Sequence, residues 1–369
     1  MACIENIKKM DLPHISVIVL NWNGWKDTLE CLESVFQVDY ENFSLILVDN
    51  GSSDDSLQKF REYCQGEIEV QSSFITYTSQ NKPRQLIELE ENVLVNSNGI
   101  HLPEIQNNAV ILIKCKENYG YAKGNNIGIR TALKLFNPGY ILVLNNDIIV
   151  NERNMFSLLV DGASQEKSIG VVSPILRSRN GEIQRACTRN FPTFFDYLFV
   201  YSFLGQRLFR NNRYWNNHFN AGYAFDKPRQ VDVLGGSCML FKSESLAKVN
   251  LFDENTFLYW EEFILGKKLQ SAGIQSYILP NTSVIHKGEI TINTLNLKSW
   301  ARYWSIQSEL YYIDQYTRTP LLQRSLILVV LLVEALMAGG AAVFSRKVNP
   351  FNLSCEKKSI KFLLRSFFP

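Results

Sequence analysis

Three apolar runs in this sequence end in carboxamides and carboxylates. "HISVIVLNWNG" closes on Asn21 and Asn23, "FSLILVDNGSSDDS" on Asp49 and Asn50, and "YILVLNNDIIV" is interrupted by Asn145, Asn146 and Asp147. If the runs are parallel strands of one sheet, their carboxyl ends converge on one edge, the edge at which such sheets bind ligands. A carboxylate there can hold a divalent cation, and the cation can hold a diphosphate. Magnesium suits this arrangement, because it takes one or two carboxylates and fills its shell with phosphate oxygens and water. Asp and Asn are also ordinary turn residues after strands. Three such clusters at corresponding strand ends favour a common site.

A second pair of acids, Glu261 and Glu262, follows Phe257, Tyr259 and Trp260 and precedes Phe263, Ile264 and Leu265. Acids at the start of a helix commonly do no more than complement its dipole. In apolar surroundings two adjacent carboxylates repel and are poorly solvated, which raises one pKa and suits a general base. Glu262, Leu265 and Leu269 share a helix face, with Glu261 turned about 100° away, so only one of the pair points into a given site. His286, in "VIHKGE", ends another strand. A lone histidine is usually structural; as a neutral imidazole it could ligate a metal or touch phosphate. Gly120, Gly124 and Gly128 recur every four residues and leave one helical face bare for close backbone approach. There is no G-x-x-x-x-G-K-[ST] loop, no G-x-S-x-G elbow, no H-E-x-x-H and no G-x-G-x-x-G fingerprint.

The elements that must position these residues alternate strand and helix from Ile15 onward, which predicts an α/β fold with a mostly parallel sheet flanked by helices. Residues from about 71 to 106 are polar and break that rhythm, so they read as an insertion running over the surface. "AVILIKC" restarts the sheet, "LYWEEFILGKKLQSAG" reads as a helix with a glycine stop, and "SYILPNTSVIHKG" reads as a final strand pair. The 369 residues are 46% hydrophobic and 20% charged, enough for a sizeable core. Seven scattered cysteines without a C-x-x-C pair predict reduced thiols rather than disulfides or a zinc site. The N-terminus has no long apolar core, so a signal peptide is not expected.

Residues 1–297 form the expected α/β domain, and 298–369 a helical C-terminal region. "SLILVVLLVEALMAGGAAVF", Ser325–Phe344, has nearly the length that spans a bilayer, but Glu334 sits in its middle. "SIKFLLRSFF" places Ile360, Leu363, Leu364 and Phe367 on one stripe, with Lys361 and Arg365 off it, an interfacial pattern. Ser345–Pro369 holds six basic residues and one acid against a net charge of +2, so the rest of the chain is mildly acidic. That distribution fits an anionic membrane surface better than nucleic acid. The competing reading is a helical hairpin packed on the α/β domain or across a homodimer.

Taken in order, "SVIVLNWNG", "LILVDNGSSDDS", "ENYGYAKGNNIGI", "VLNNDIIV", "VLGGSCMLFKSE", "LFDENTFLYWEE" and "VIHKG" resemble an inverting family 2 glycosyltransferase of GT-A fold. The subgroup resembled is the rhamnosyltransferase-like enzymes of bacterial surface polysaccharide assembly. The resemblance implies a nucleoside-diphosphate sugar donor, a glycan or lipid-linked acceptor, Mg2+ or Mn2+, and a cytoplasmic enzyme on the inner face of the membrane. It implies that Asn21, Asn23, Asp49, Asn50, Gly124, Asn145 and Asn146 serve the nucleotide. Asp147 falls at the family's metal-binding acid, with Asn145 at the first D-x-D position, and His286 joins it. Glu262 falls where the family has the aspartate base of its E-D pair, with Glu261 beside it. Gly235 and Gly236 leave room for a sugar, and Tyr259, Trp260 and Trp215 offer aromatic faces. Two other readings compete. One is a non-catalytic nucleotide-sugar-binding subunit, motivated by Asn145 and Glu262. The other is a nucleotidyltransferase, for which the chain lacks a Gly-rich, basic triphosphate loop near its N-terminus.

Overall fold

The computed structural model describes residues 12–91, 103–106, 109–209, 212–288, 297–344 and 350–367. Five parallel strands form one half of a sheet. They are β1 (Ile15–Asn21), β2 (Phe43–Asp49), β3 (Leu86–Glu90), β4 (Val110–Lys114) and β5 (Tyr140–Asn145), in the order β3-β4-β2-β1-β5. The other half holds β6 (Ile148–Ile149), β7 (Ile169–Arg177), β9 (Arg229–Val231), β11 (Cys238–Lys242) and β12 (Gln275–His286). There β11 lies antiparallel between β5 and β7, and β7 runs parallel to β12. Two short strands, β8 (Thr188–Arg189) and β10 (Val233–Leu234), pair separately. The central strands are β-branched and buried along nearly their whole length, as expected of a sheet covered on both faces.

Helices α1 (Trp25–Val35), α2 (Ser56–Gln65), α3 (Gly120–Phe136) and α4 (Met155–Ser164) cover the sheet. The four-residue glycine spacing lets α3 lie close on β1. A Cβ at Gly124 would come within 2.7 Å of Leu20, and one at Gly128 within 2.5 Å of Ile18. The later helices are α5 (Phe203–Leu208), α6 (Glu261–Ser271), α7 (Lys298–Tyr316), α8 (Leu321–Phe344) and α9 (Pro350–Phe367). A second core joins α6 to this C-terminal group. In it Trp260 stacks on Tyr197 at 5.9 Å and meets Phe263 and Tyr312, with Ile306, Leu310, Ile327 and Leu331 around them.

Two sequence expectations change. Residues 71–106 are not wholly a surface excursion, because Leu86–Glu90 is the edge strand, with Ile87 and Leu89 turned inward. The approach to it is tied down by Lys82, whose ammonium meets Glu33 at 2.7 Å, both side chains almost fully buried. Residues 92–102 and 107–108 lie outside the described residues. The final strand pair is one strand, β12, which shifts register on β7 between Leu279 and Ser283. The six described cysteines are free and buried, as expected.

The second core contains acids. Glu309 of α7 is buried, and burial, followed by the charge of Glu334, pushes its carboxyl up to about 8. A carboxyl raised on folding stabilises the fold fully only below its unfolded value near 4.5. That contribution is lost as pH rises through the folded value. Glu309→Gln is therefore expected to melt progressively higher than the parent between pH 5 and pH 8.5. The gap at pH 8.5 should reach a few kcal/mol (about 1.4 kcal/mol per unit). Melting curves of both proteins across that range measure it.

Candidate active site

The polar clusters meet where sheet topology requires. β1 is followed by strands laid on one side of it and β5 is laid on the other, so the edge beyond β1 and β5 is the topological switch point. Asn21 stands opposite Asp49 in the ladder, and Leu20 opposite Asn145. Beyond these ends lies a cavity of about 400 Å3 whose wall includes Asn50, Asn145, Asn146, Asp147, Glu262 and His286. The metal-type acid and the candidate base, 115 positions apart in sequence, thus face one space.

Not every expected residue lines it. Asn21, Asn23, Asp49 and Gly124 lie outside its wall and support it. The Asn21 amide donates to Asp49 Oδ1 at 2.8 Å and to Ser52 Oγ at 3.0 Å, and Asn21 Oδ1 accepts from Thr28 at 2.7 Å. Asp49 also accepts the Ser52 hydroxyl at 2.6 Å. Burial raises its carboxyl, with the bonds from Ser52 and Asn21 opposing. Asn23, at φ +50°, accepts the amides of Ser53 and Asp54 and shapes the loop after β2. Asn50 bridges inward: its amide donates to Asn118 and Gly120, and its carbonyl accepts from Tyr119 N–H. Asn146 is held through Thr28 at 3.0 Å.

At Asp147 the hydrogen bonds fix a charge arrangement. Gln184 Nε2 donates to the His286 carbonyl at 2.9 Å, which orients the amide so that Oε1 faces His286 Nδ1 at 2.7 Å. Nδ1 is therefore the protonated nitrogen. The opposite nitrogen, Nε2, lies 3.3 Å from Asp147 Oδ2 and 3.3 Å from Ser237 Oγ. A bare lone pair facing a carboxylate is repulsive, so a proton or a cation belongs between them. Asp147 Oδ1 is buried without a hydrogen-bond partner. This donor set fits a divalent cation. Among the described residues no group of three His, Cys, Asp or Glu side chains could hold one unaided, so a substrate's oxygens or water must complete the shell.

The glutamates enter on the helix α6 through an unusual turn. Tyr259 and Trp260 both have φ of +68°, costly for bulky side chains and held here by the packing of Trp260. The turn sends Trp260 into the aromatic core, so the expectation that it offers a face to a sugar fails; Tyr259 does line the cavity. Trp215 packs on Phe219 instead. Gly236 N–H donates to Glu262 Oε1 at 3.3 Å, and Arg189 Nη2 lies 3.6 Å from the same oxygen. A Cβ at Gly236 would fall 2.6 Å from that oxygen, so a side chain there would displace the carboxylate. The raised carboxyl is Glu261, which is almost fully buried with Oε1 unpartnered. Burial and then the charge of Glu262 push it well above the usual range. Both causes favour the neutral form of Glu261, while Glu262 lies beside Arg189.

Sequence reasoning missed Gln184, Arg189, Tyr121 and Trp304. Gln184 lies four residues before the two-residue strand β8 and Arg189 ends it, inside a stretch without periodicity. Tyr121 braces the glycine turn by donating to Gly236 O at 2.7 Å, and Trp304 reaches the cavity from α7 and packs on Phe257 at 4.4 Å.

Residues 16–88 match the family model described as Glycosyl transferase family 2. An N-acetylglucosaminyl-diphospho-decaprenol L-rhamnosyltransferase of Mycobacterium tuberculosis is 29% identical over 147 residues, 40% of this chain and 46% of that protein. Rhamnosyltransferase WbbL of Escherichia coli K12 is 23% identical over 200 residues, 53% of this chain and 70% of that one. The chain thus aligns with about half the length of the mycobacterial relative. A mannosyltransferase, PcManGT, from Pyrobaculum calidifontis, solved with GDP-Man and Mn2+, shares the fold. Its TM-score is 0.51 at 14% identity, over 96% of this chain and 87% of that one.

The start of α3 ties the glutamate loop to the strand ends. Gly120 has φ +80°, a Cβ there would overlap the Phe257 carbonyl, and Tyr121 N–H donates to that carbonyl at 2.9 Å. Gly120→Ala is expected to lower unfolding stability by at least about 2 kcal/mol, measured by urea titration.

Proposed function

We propose that this chain, a family 2, rhamnosyltransferase-like glycosyltransferase, transfers a hexosyl group with inversion from a nucleoside-diphosphate sugar to a hydroxyl of a glycan or lipid-linked acceptor. Rhamnose is the sugar suggested by the names of its relatives. One observation carries the reading: Asp147 and Glu262 face the same cavity, one beside an imidazole and the other beside a guanidinium.

Asp147 and His286 would hold Mg2+ or Mn2+, which supplies positive charge against the departing diphosphate. Asn50, Asn145 and Asn146 line the nucleotide end. Gly235 and Gly236 let backbone approach the sugar. Glu262 takes the proton of the acceptor hydroxyl while that oxygen bonds to the anomeric carbon. The bond from that carbon to the diphosphate oxygen breaks on the opposite face, and its electron pair leaves with the diphosphate. Glu261 keeps its proton and so does not compete as base. Arg189 holds Glu262 in place, 3.6 Å from its Oε1. We place the reaction on the cytoplasmic face of a membrane, reached through residues 298–369.

Glu262→Gln is expected to slow nucleoside-diphosphate release by about 10²- to 10⁴-fold, with donor binding by calorimetry unchanged. Full turnover in that variant removes Glu262 as the base. Gln184→Leu frees the imidazole it orients and is expected to weaken Mn2+ binding about 10- to 100-fold. Calorimetric titration of Mn2+ with nucleoside diphosphate present reads this out, and unchanged affinity would exclude His286 from the metal site.

A further inference from the structure

Among the described residues one helix, Leu321–Ala338 within α8, is long and apolar enough to cross a membrane. Its two faces meet different surroundings. Ile327, Leu328, Leu331 and Ala335 are buried in the second core. Leu322, Leu326, Val329, Val333 and Met337 are exposed, at intervals of four, three, four and four residues. They make one straight stripe about 22 Å long at 1.5 Å per residue. A stripe of that size uncovered on a soluble surface marks an interaction site.

Two neighbouring elements that pack on α8 also carry exposed apolar residues. Glu334, on the packed side of α8, accepts the N–H groups of Phe203 and Leu204 and so caps α5, with Arg302 3.8 Å away. That bond sets the half-exposed Phe203 beside the helix; Leu208 and Phe209, also exposed, close the same segment. At the other end Arg324 donates to the Ser366 carbonyl at 3.3 Å, which lays the end of α9 against the start of α8. That end presents the exposed Leu364, with Lys357, Lys361 and Arg365 around it. These three cations make no ion pair among the described residues.

We propose that the exposed stripe of α8, with Phe203 and the Lys361–Arg365 side of α9, is a seat for an anionic bilayer, with α8 lying in the plane of the interface rather than crossing it. The orientation follows from the packed face. A helix crossing the bilayer would carry Glu334, Arg302 and the polar backbone of the 203–204 turn into hydrocarbon, where charged side chains are expensive. Lying flat, α8 buries only its apolar stripe and keeps those groups inside the protein. The unpaired cations then reach the anionic headgroups. A second copy packed stripe to stripe would also cover the apolar residues, but an anionic bilayer in addition matches the cations of α9.

Vesicle flotation of the full chain tests this without using catalysis, so the seat can fail while the transfer reaction stands. Vesicles containing phosphatidylglycerol should carry the protein, and phosphatidylcholine vesicles should carry at least about tenfold less. Leu326→Glu/Val333→Glu and, separately, Lys361→Glu/Arg365→Glu should each cut flotation by a similar factor while melting like the parent. Flotation equal to the parent in both double variants overturns the proposal. So does a dimer in vesicle-free solution that the Leu326/Val333 variant dissociates, if vesicles fail to bind the parent. For orientation, Arg318→Cys and Ser354→Cys, each with Cys3→Ser, are treated from outside the vesicles with a maleimide polymer. Modification of both supports the in-plane helix, and protection of one shows a crossing and overturns it.

Discussion

The structure depends on one antiparallel insertion. After five parallel strands, β11 enters beside β5 in the reverse direction. The chain must therefore arrive at the carboxyl end of β5 from outside the sheet, through Leu234-Gly235-Gly236-Ser237. That segment sits directly over the end of β5, where Asn145 N–H donates to Ser237 O at 2.9 Å. It brings Gly236 N–H to Glu262 and Ser237 Oγ to His286. A parallel strand in the same place would begin at the opposite edge and bring neither. The wall between the candidate metal acid and the candidate base is thus a consequence of strand direction, and its two glycines keep it thin.

Burying this many ionisable groups at one edge is tolerable only because each is paired or neutralised. Asp49 is bonded by Asn21 and Ser52. Lys287, nearly buried, is matched by Asp27 and Glu30 of α1. Glu261 and Asp147 each keep one oxygen without a partner; at Glu261 burial and the charge of Glu262 favour the neutral form, and Asp147 lines the cavity. The aromatic core behind α6 supplies the low-dielectric surroundings that enforce this. It also supports the two left-handed residues that aim both glutamates.

How much of this the sequence disclosed follows from how local each signal is. The ends of β1, β2 and β5 were legible because a β-branched run stopped by Asn or Asp is a contiguous pattern. The edge strand Leu86–Glu90 alternates apolar and acidic residues, but five residues among polar neighbours read as loop. Trp260 misled because its direction is set by positive φ at 259 and 260, which nothing in residue type announces for aromatics. Gln184 and Arg189 were invisible for a related reason. Arg189 is placed by the pairing of β8 with β10, two residues long, and Gln184 by the turn after β7, where its N–H donates to the Leu176 carbonyl; neither has a periodicity to mark it. The acid Glu334 was legible as an anomaly in an apolar helix. Its partner, the backbone of residues 203–204, was not, because backbone carries no sequence signature.

The C-terminal helices are part of the site rather than an appendage. Trp304 of α7 stands in the cavity wall, and Ser308 donates to the Leu258 carbonyl in the loop that carries the glutamates. Tyr311 and Tyr316 both donate to Asp253 at the start of that loop. The opposite side of α7 packs on α9, and α8 shares the aromatic core with Trp260 and Phe263. A continuous set of buried contacts therefore runs from the exposed stripe of α8 to the loop that positions Glu262. No flexible linker intervenes among the described residues of α7. Packed interiors transmit displacement instead of absorbing it, and this core joins α8 to the loop at the cavity mouth.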